Sequence, residues 1–349
     1  MPPVNTTAND RKRGLRVKRL LIVILIAAGL WSGYWFVGAQ RVKSGFADWF
    51  EARRGEAWAA EYSALSVQGF PNRFDTTFTD LELADPATGW AWQVPFFQIL
   101  ALSYQPNHVI AIWPDQQLVA TPTDKYDISS AKMQASVVTG KNSNQALDRA
   151  NLVADSLQIT RRDHDATTMT ALHLAVRRDE VQTGLYRFAL TADDLAPSSA
   201  FRKLVDRSDR LPRTLSAFSA DMQVSFDRPW DLSAVENSRP QPRRIDVTLA
   251  EAKWGDLELA LAGELEIDDR GRPKGRLTVK ARNWREILQI AVSSETISQG
   301  FADQLESGLA MISGLAGNPK TLDIPLDFRR DLVFLGPLPI GPAPLLRLR

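Results

Sequence analysis

Residues 257–281 read LELALAGELEIDDRGRPKGRLTVKA. Leu257, Leu259 and Leu261 recur at every second position and lead through Leu265 and Ile267 to a turn at Asp268-Asp269-Arg270-Gly271. Leu277, Val279 and Ala281 return with the same spacing. Successive side chains of a strand point to opposite faces, so a period of two marks a ribbon with one oily face. Alternation on both arms and glycine in the turn predict an antiparallel hairpin.

The same period recurs along the chain, at Phe74/Thr76/Phe78, Leu172/Leu174/Val176, Tyr186/Phe188/Leu190, Met222/Val224/Phe226, Ile245/Val247/Leu249 and Leu322/Ile324/Leu326/Phe328. The fold class expected is mainly β with a few helices: a large, twisted, mostly antiparallel sheet carrying covering helices. Ala200 to Arg210 lies between Pro197 and Pro212 and reads as a helix that subdivides the β-rich part near 197–212. Asn283 is placed to cap the run WREILQIAV, with Glu286 as its capping-box partner. Glu295 to Leu315 carries Ile297, Phe301, Leu305, Leu309 and Ile312 along one helical face. The tail from Gly336, GPLPIGPAPLLRLR, holds too much proline for a central strand.

The N-terminus has a different grammar. Arg11, Lys12, Arg13, Arg16, Lys18 and Arg19 precede Leu20 to Val37, LLIVILIAAGLWSGYWFV, eighteen residues without a charge. As a helix this run is about 27 Å long, close to the hydrocarbon thickness of a bilayer. Trp31, Tyr34 and Trp35 sit near its far end, where amphipathic rings favour the interface. Six basic residues precede the span, against Arg41 and Lys43 just after it, which puts the N-terminus in the cytoplasm. Residues 1–19 are thus read as a cytoplasmic tail and 20–37 as a single transmembrane anchor in a bacterial inner membrane. Residues 38–60 are a juxtamembrane helix with Phe46, Trp49 and Phe50 at helical spacing, resting on headgroups or packed under the sheet. Residues 61–349 are a periplasmic β-rich domain. Val37-Gly38-Ala39 also fits a signal-peptidase site, so cleavage after Ala39 stands as the competing reading.

Composition narrows the function classes. The chain has 349 residues, 44% hydrophobic and 24% charged, enough for one large or two medium cores. Cysteine is absent, which removes thiol chemistry, disulfides and cysteine-ligated metals. Of 42 basic and 41 acidic residues, six basic and one acidic precede Gln40, so the remainder carries a net charge of −4. No basic stripe marks a nucleic-acid partner.

Residues 89–114, GWAWQVPFFQILALSYQPNHVIAIWP, are twenty-six in a row without Asp, Glu, Lys or Arg. Pro95 and Pro106 would break a membrane helix, and the pieces between them are strand-sized. Trp90, Trp92 and Val94 alternate, as do Val109, Ala111 and Trp113, with Ile110 and Ile112 on the opposite face. Strands apolar on both faces need cover on both sides. Three covers are open: a sandwich core with the C-terminal helix packed over it, a hydrophobic groove holding acyl chains, or a protein-binding face. The groove-lining candidates are Trp90, Trp92, Phe97, Leu102, Tyr104, Ile110, Ile112 and Trp113.

Reactive chemistry is sparse. The histidines are His108, His164 and His173. Asp163-His164-Asp165 reads as a polar turn between strands, His173 as a strand residue and His108 as a hairpin residue. The acids Glu264, Glu266, Asp268 and Asp269 gather near a turn, where solvated charge is the default, as do Arg329, Arg330 and Asp331. No GxSxG, HExxH or phosphate-cradling glycine loop occurs. No catalytic residue, cofactor or metal ligand is assigned, and an enzyme is not expected.

Several passages together resemble a bacterial family, the domain-of-unknown-function 2125 family. They are the apolar N-terminal run, GFPNRFD from Gly69, Ala101 to Tyr104 through Trp113-Pro114, and PLDFRRDLVFLGPLPIGPAP near the C-terminus. The resemblance spans nearly the whole chain and implies an inner-membrane-anchored envelope protein of Gram-negative bacteria, with no catalytic residues to carry over. The architecture is also similar to that of AsmA-like proteins, whose curved sheets carry an apolar groove linked to lipid transport. The expectation is a non-enzymatic protein that binds or conducts lipid acyl chains in envelope maintenance. The alternative is a scaffold or adaptor holding another envelope protein through an edge strand or the Pro-rich tail.

Overall fold

The computed structural model describes residues 7–141, 145–162, 165–206, 211–236, 238–293, 298–315, 321–336 and 338–348. It opens with one unbroken helix, α1 (Thr7–Gly55), so the expected anchor and juxtamembrane helix are a single rod. Hydropathy changes after Val37, but nothing there stops a helix: Gly38 and Gly45 lower propensity without breaking it. The rod closes where Arg54 Nε donates to the Ala60 carbonyl at 2.8 Å.

The strands that follow form one 18-stranded sheet. β1 (Ala59–Glu61) and β2 (Ala64–Gln68) both pair with β3 (Arg73–Asp85), as one ribbon interrupted at Tyr62-Ser63. β3 pairs with β4 (Trp90–Leu102) along nearly its full length. The next ribbon is broken at Pro114-Asp115: β5 (Gln105–Trp113) takes the C-terminal half of β4 and β6 (Gln116–Ala120) the N-terminal half. Proline cannot donate to a ladder, which suits it to the break. β7 (Lys125–Ser129) pairs with β6, β8 (Lys132–Thr139) pairs with β5, and both pair with β9 (Leu147–Arg161).

From there the chain runs as a plain meander. β10 (Ala166–Arg178), β11 (Leu185–Asp193), β12 (Ala217–Phe226) and β13 (Pro242–Trp254) each lie antiparallel to the strand before. The expected hairpin at 257–281 is present as β14 (Leu257–Ile267) and β15 (Pro273–Arg282). β16 (Thr321–Arg329), β17 (Leu332–Leu335) and the proline-rich edge strand β18 (Leu338–Pro342) complete the sheet. Short helices fill the longer connections: α2 (Ser199–Val205), α3 (Leu232–Glu236), α4 (Trp284–Ser293) and α5 (Gln299–Leu315).

Three expectations need correction. The β11–β12 ladder passes straight across 197–212, so no subdivision of the sheet occurs there. Asn283 does not build a capping box; it sits at φ 57, and its amide donates to the Asp256 carbonyl at 2.7 Å. The sandwich is also absent among the described residues: α5 packs with α4 over Ala281 and Leu322, far along the sheet from residues 89–114.

A meander without a second sheet leaves much surface uncovered. The accessible area is 22027 Å², whereas a compact monomer of this length has about 14,000 Å². The protruding rod accounts for part of the excess and the open sheet for the rest. Gly263 and Gly275 lie in β14 and β15 at φ 136 and 145. A methyl group at either would collide with a carbonyl across the ladder, of Arg276 or Glu264, so glycine lets these two ribbons coil tightly.

Candidate functional site

Register, more than any single residue, defines the site. Starting at Ile99 of β4, the hydrogen-bonded partners run Ala111, Ala135, Leu152, Leu174, Leu190, Ala220, Ala250, Leu261, Val279 and Ile324, ending on β16. No polar side chain interrupts this row. Two residues away on the same face a second row runs Ala101, Val109, Val137, Ala150, Val176, Phe188, Met222, Val247, Gly263, Leu277 and Leu326. Side chains on one face recur every second residue, so the two rows are adjacent lanes of one apolar surface.

The reverse face has the opposite character. There the partners run Arg149, Arg177, Arg187, Gln223, Asp246, Glu264, Arg276 and Asp327. Ion pairs cross neighbouring ribbons, Arg187 with Asp221, Arg276 with Asp327 at 2.6 Å and Arg244 with Glu264 at 2.7 Å. The hydrogen bond from Arg187 holds the Asp221 carboxyl below its usual range, and Arg276 does the same for Asp327. From β9 to β16 the back of this sheet is mostly wet and its front oily.

Cover over the oily face is uneven. At the N-terminal flank α1 lays Phe46, Trp49 and Phe50 over Phe78, Leu81 and Val94. The helix is tied down by its aromatics. The Trp31 indole donates to the Pro71 carbonyl at 2.9 Å, the Tyr34 hydroxyl to Ser103 at 2.6 Å and the Trp35 indole to Arg73 at 2.7 Å. Between α1 and the sheet lies a cavity of about 470 Å³, lined by Val42, Gly45, Phe46 and Trp49 on the helix and by Phe78, Leu83, Trp92, Phe97 and Ile99 below. At the other flank Trp284 and Leu309 lie over Ala281 and Leu322, and the tail residues Ala343 and Leu346 pack near Val247 and Leu277. Between these flanks the face is open, with Leu174 36% and Leu259 39% exposed.

Residues 35–344 match the model of a family described as "Uncharacterized protein conserved in bacteria (DUF2125)". The chain belongs to the DUF2125 family. No curated protein and no solved structure gives a significant match. The DUF2125 match begins at Trp35, so it takes in the junction of rod and sheet as well as every strand described above.

Of the groove-lining candidates in this DUF2125 chain, Trp92, Phe97 and Trp113 come together on the oily face. Ring centroids are 5.2 Å apart for Trp92 and Phe97 and 5.3 Å for Phe97 and Trp113. Strict alternation would put residues 92 and 97 on opposite faces. Phe78 and Leu81, three residues apart, both face α1, the ladder skips the Asp80–Pro95 pair while keeping its register, and Asp80 takes φ 47, so an irregularity there resets the phase on both strands. Trp90 shares the phase of Trp92 but is 56% exposed at the strand end. Leu102, Ile110 and Ile112 belong to the reverse face, as partners of Arg73, Leu100 and Gln98, and Tyr104 lies in the β4–β5 turn. These four do not line the cavity under α1.

A larger cavity of about 590 Å³ sits at the strand breaks, lined by Asp80, Glu82, Gln93, Asp127 and Gln158. Gln93 donates to Glu82 within it at 2.6 Å, and Val94, Leu118 and Ile128 complete its lining, so it is a mixed polar and apolar hollow and no continuation of the apolar lanes. His108 lies within β5, its Nε2 2.9 Å from Ser136 Oγ, and not in a hairpin turn. Asp163 and His164 lie outside the described residues. Asp165 accepts the Ser199 amide at the start of α2, which lowers its carboxyl from the usual range. Asp268 folds its own turn by accepting the Arg270 and Arg272 amides at 2.8 Å.

Proposed function

We propose that this chain is a single-pass inner-membrane protein whose periplasmic sheet binds or conducts lipid acyl chains along its apolar face. The observation that carries the reading is the uninterrupted apolar row from β4 to β16, open to solvent in its middle. Strands stand about 4.8 Å apart, so the row measures about 50 Å. Leaving apolar area in water costs about 25 cal/mol per Å², and patches larger than a few hundred Å² mark a surface with a partner. A lane this long and this uniformly aliphatic suits a ligand that is itself long and featureless. Acyl chains have that chemistry.

The helix supports the same reading. Lys18–Gly55 is long and apolar enough to cross a membrane, and only 6% of its most apolar window is buried, unlike a soluble core helix. The basic cluster before it favours a cytoplasmic N-terminus and a periplasmic sheet. The adaptor reading has less support. β18 is the outer strand at the C-terminal end, and Pro339 and Pro342 remove donors from it, a common way of blunting an edge. The test is organic extraction and mass spectrometry of the full chain purified from its membrane in detergent. Lipid retained through washing with a second detergent is the expected result. A stoichiometric protein partner with no retained lipid would overturn it.

A further inference from the structure

The cavity under α1 has a charged doorpost. Arg41 lines that cavity of about 470 Å³, and it also lines a groove of about 460 Å³ running down α1 past Val37, Gly33 and Leu30. Leu30 belongs to the apolar run that is long enough to cross a membrane, whereas Phe46 and Trp49 stand over the sheet. Arg41 is therefore the junction between a bilayer-level groove and an apolar chamber. Among the described residues no carboxylate pairs with it.

Depth makes the position specific. Arg41 follows Val37, the end of the uncharged run, by one helical turn, or about 6 Å. Each headgroup layer adds about 5–7 Å beyond the hydrocarbon, so the guanidinium stands at phosphate level. The sheet is pinned to the same rod about 10 and 15 Å nearer the bilayer centre than Arg41: Tyr34 and Trp31 hold the Ser103 and Pro71 carbonyls, and the adjoining Tyr104 and Phe70 are 62% and 51% exposed. Backbone carbonyls at hydrocarbon depth need donors from protein, and these two aromatics provide them.

We propose that Arg41 is the headgroup anchor of a lipid-loading site: it binds the phosphate of a bilayer phospholipid while one acyl chain leaves the bilayer and enters the chamber between α1 and the sheet. The proposal rests on the lipid-binding reading above and adds the substrate class and the point of loading. Guanidinium and phosphate match in charge and in paired hydrogen bonds. A chamber of this size falls within the usual range for small-ligand sites, and its floor, Ile99, is the first member of the long apolar row.

The test uses the full chain in vesicles of phosphatidylethanolamine and phosphatidylglycerol, with a trace of phosphatidylglycerol carrying a diazirine on one acyl chain. Photolysis should label peptides containing Phe46 and Trp49 and those containing Trp92 and Phe97. R41E and R41Q should lower that labelling about tenfold, the worth of a charged hydrogen bond, and R41K should retain part of it. G45F should abolish labelling at Trp92 and Phe97 by filling the chamber. A Cβ at Gly45 meets no atom within 4 Å, so the variant keeps the fold, as circular dichroism would verify. Undiminished labelling in R41E overturns the loading site, as does equal labelling by a diazirine diacylglycerol without phosphate. If Leu174 is labelled in wild type and R41E alike, with chamber labelling also unchanged, the apolar face stands and the Arg41 site falls. If neither chamber nor Leu174 is labelled in wild type, both fall.

Discussion

Two stretches of the same oily face differ in everything but their residues. Under α1, Phe78 and Leu81 are 2% exposed and Val94 is 1% exposed. In the middle of the sheet Leu174 is 36% and Leu259 39% exposed, although each sits in the same alternating pattern. The difference lies overhead: Phe46, Trp49 and Phe50 roof the first stretch, whereas among the described residues no helix packs closely over Leu174, and α4 reaches only the margin of β14 beside Leu259. Alternation determines which face a side chain takes. It is silent about what lies above that face.

The contrast can be broken by substitution. Phe78→Ala should destabilise the sheet by about 3–5 kcal/mol, the range for a buried ring, read from urea unfolding of the detergent-solubilised chain. Next in size is Trp35→Phe, which keeps the ring packing and strands the Arg73 carbonyl, at a cost of about 1–3 kcal/mol. Its readout is faster limited proteolysis at the 69–73 turn. Leu174→Asp should cost less than about 1 kcal/mol because its site is open to water, while lowering lipid retained on extraction. A cost at Leu174 as large as that at Phe78 would mean that the middle of the face is roofed after all.

The smallest effect belongs to the reverse face. The carboxyls of Asp221 and Asp327 are lowered in the folded chain by Arg187 and Arg276. A depressed folded-state value contributes stability above the unfolded value, about pH 4, and that contribution fades as pH falls through the folded value. Midpoints of urea unfolding should therefore drop below about pH 4, and less steeply in an R187Q/R276Q variant. Partial exposure keeps the change slight. The oily face, without titratable groups in its rows, should bind lipid equally at both ends of this range.

Strands are most legible in the sequence where aliphatic side chains are large. Leu257 to Ala281, Leu172 to Val176 and Leu322 to Phe328 became strands in the expected phase. β6 to β9 are not legible in this way, because their inward residues are mostly small, Ala135, Ala150 and Ala154 among them, and breaks at Pro114 and Ser130 cut ribbons into short pieces. A period of two drawn in alanine carries little contrast with its polar neighbours. The phase reset at Asp80 and Pro95 was also invisible, since it depends on backbone dihedrals at a residue that ordinarily avoids them. For that reason the uncharged 89–114 stretch, read as one lining, divides between two faces. The sequence marks Arg41 only as a charge just beyond the span; its place between two cavities depends on the continuity of the rod.

One property of the meander reaches beyond this chain. Because each ribbon bonds only to those next to it in sequence, a hairpin can be deleted or duplicated without disturbing distant ladders. Such a change would shorten or extend the slide by two strand spacings, about 10 Å. Its reach is thus a heritable dimension, adjustable in pairs of strands, like a ruler with removable segments.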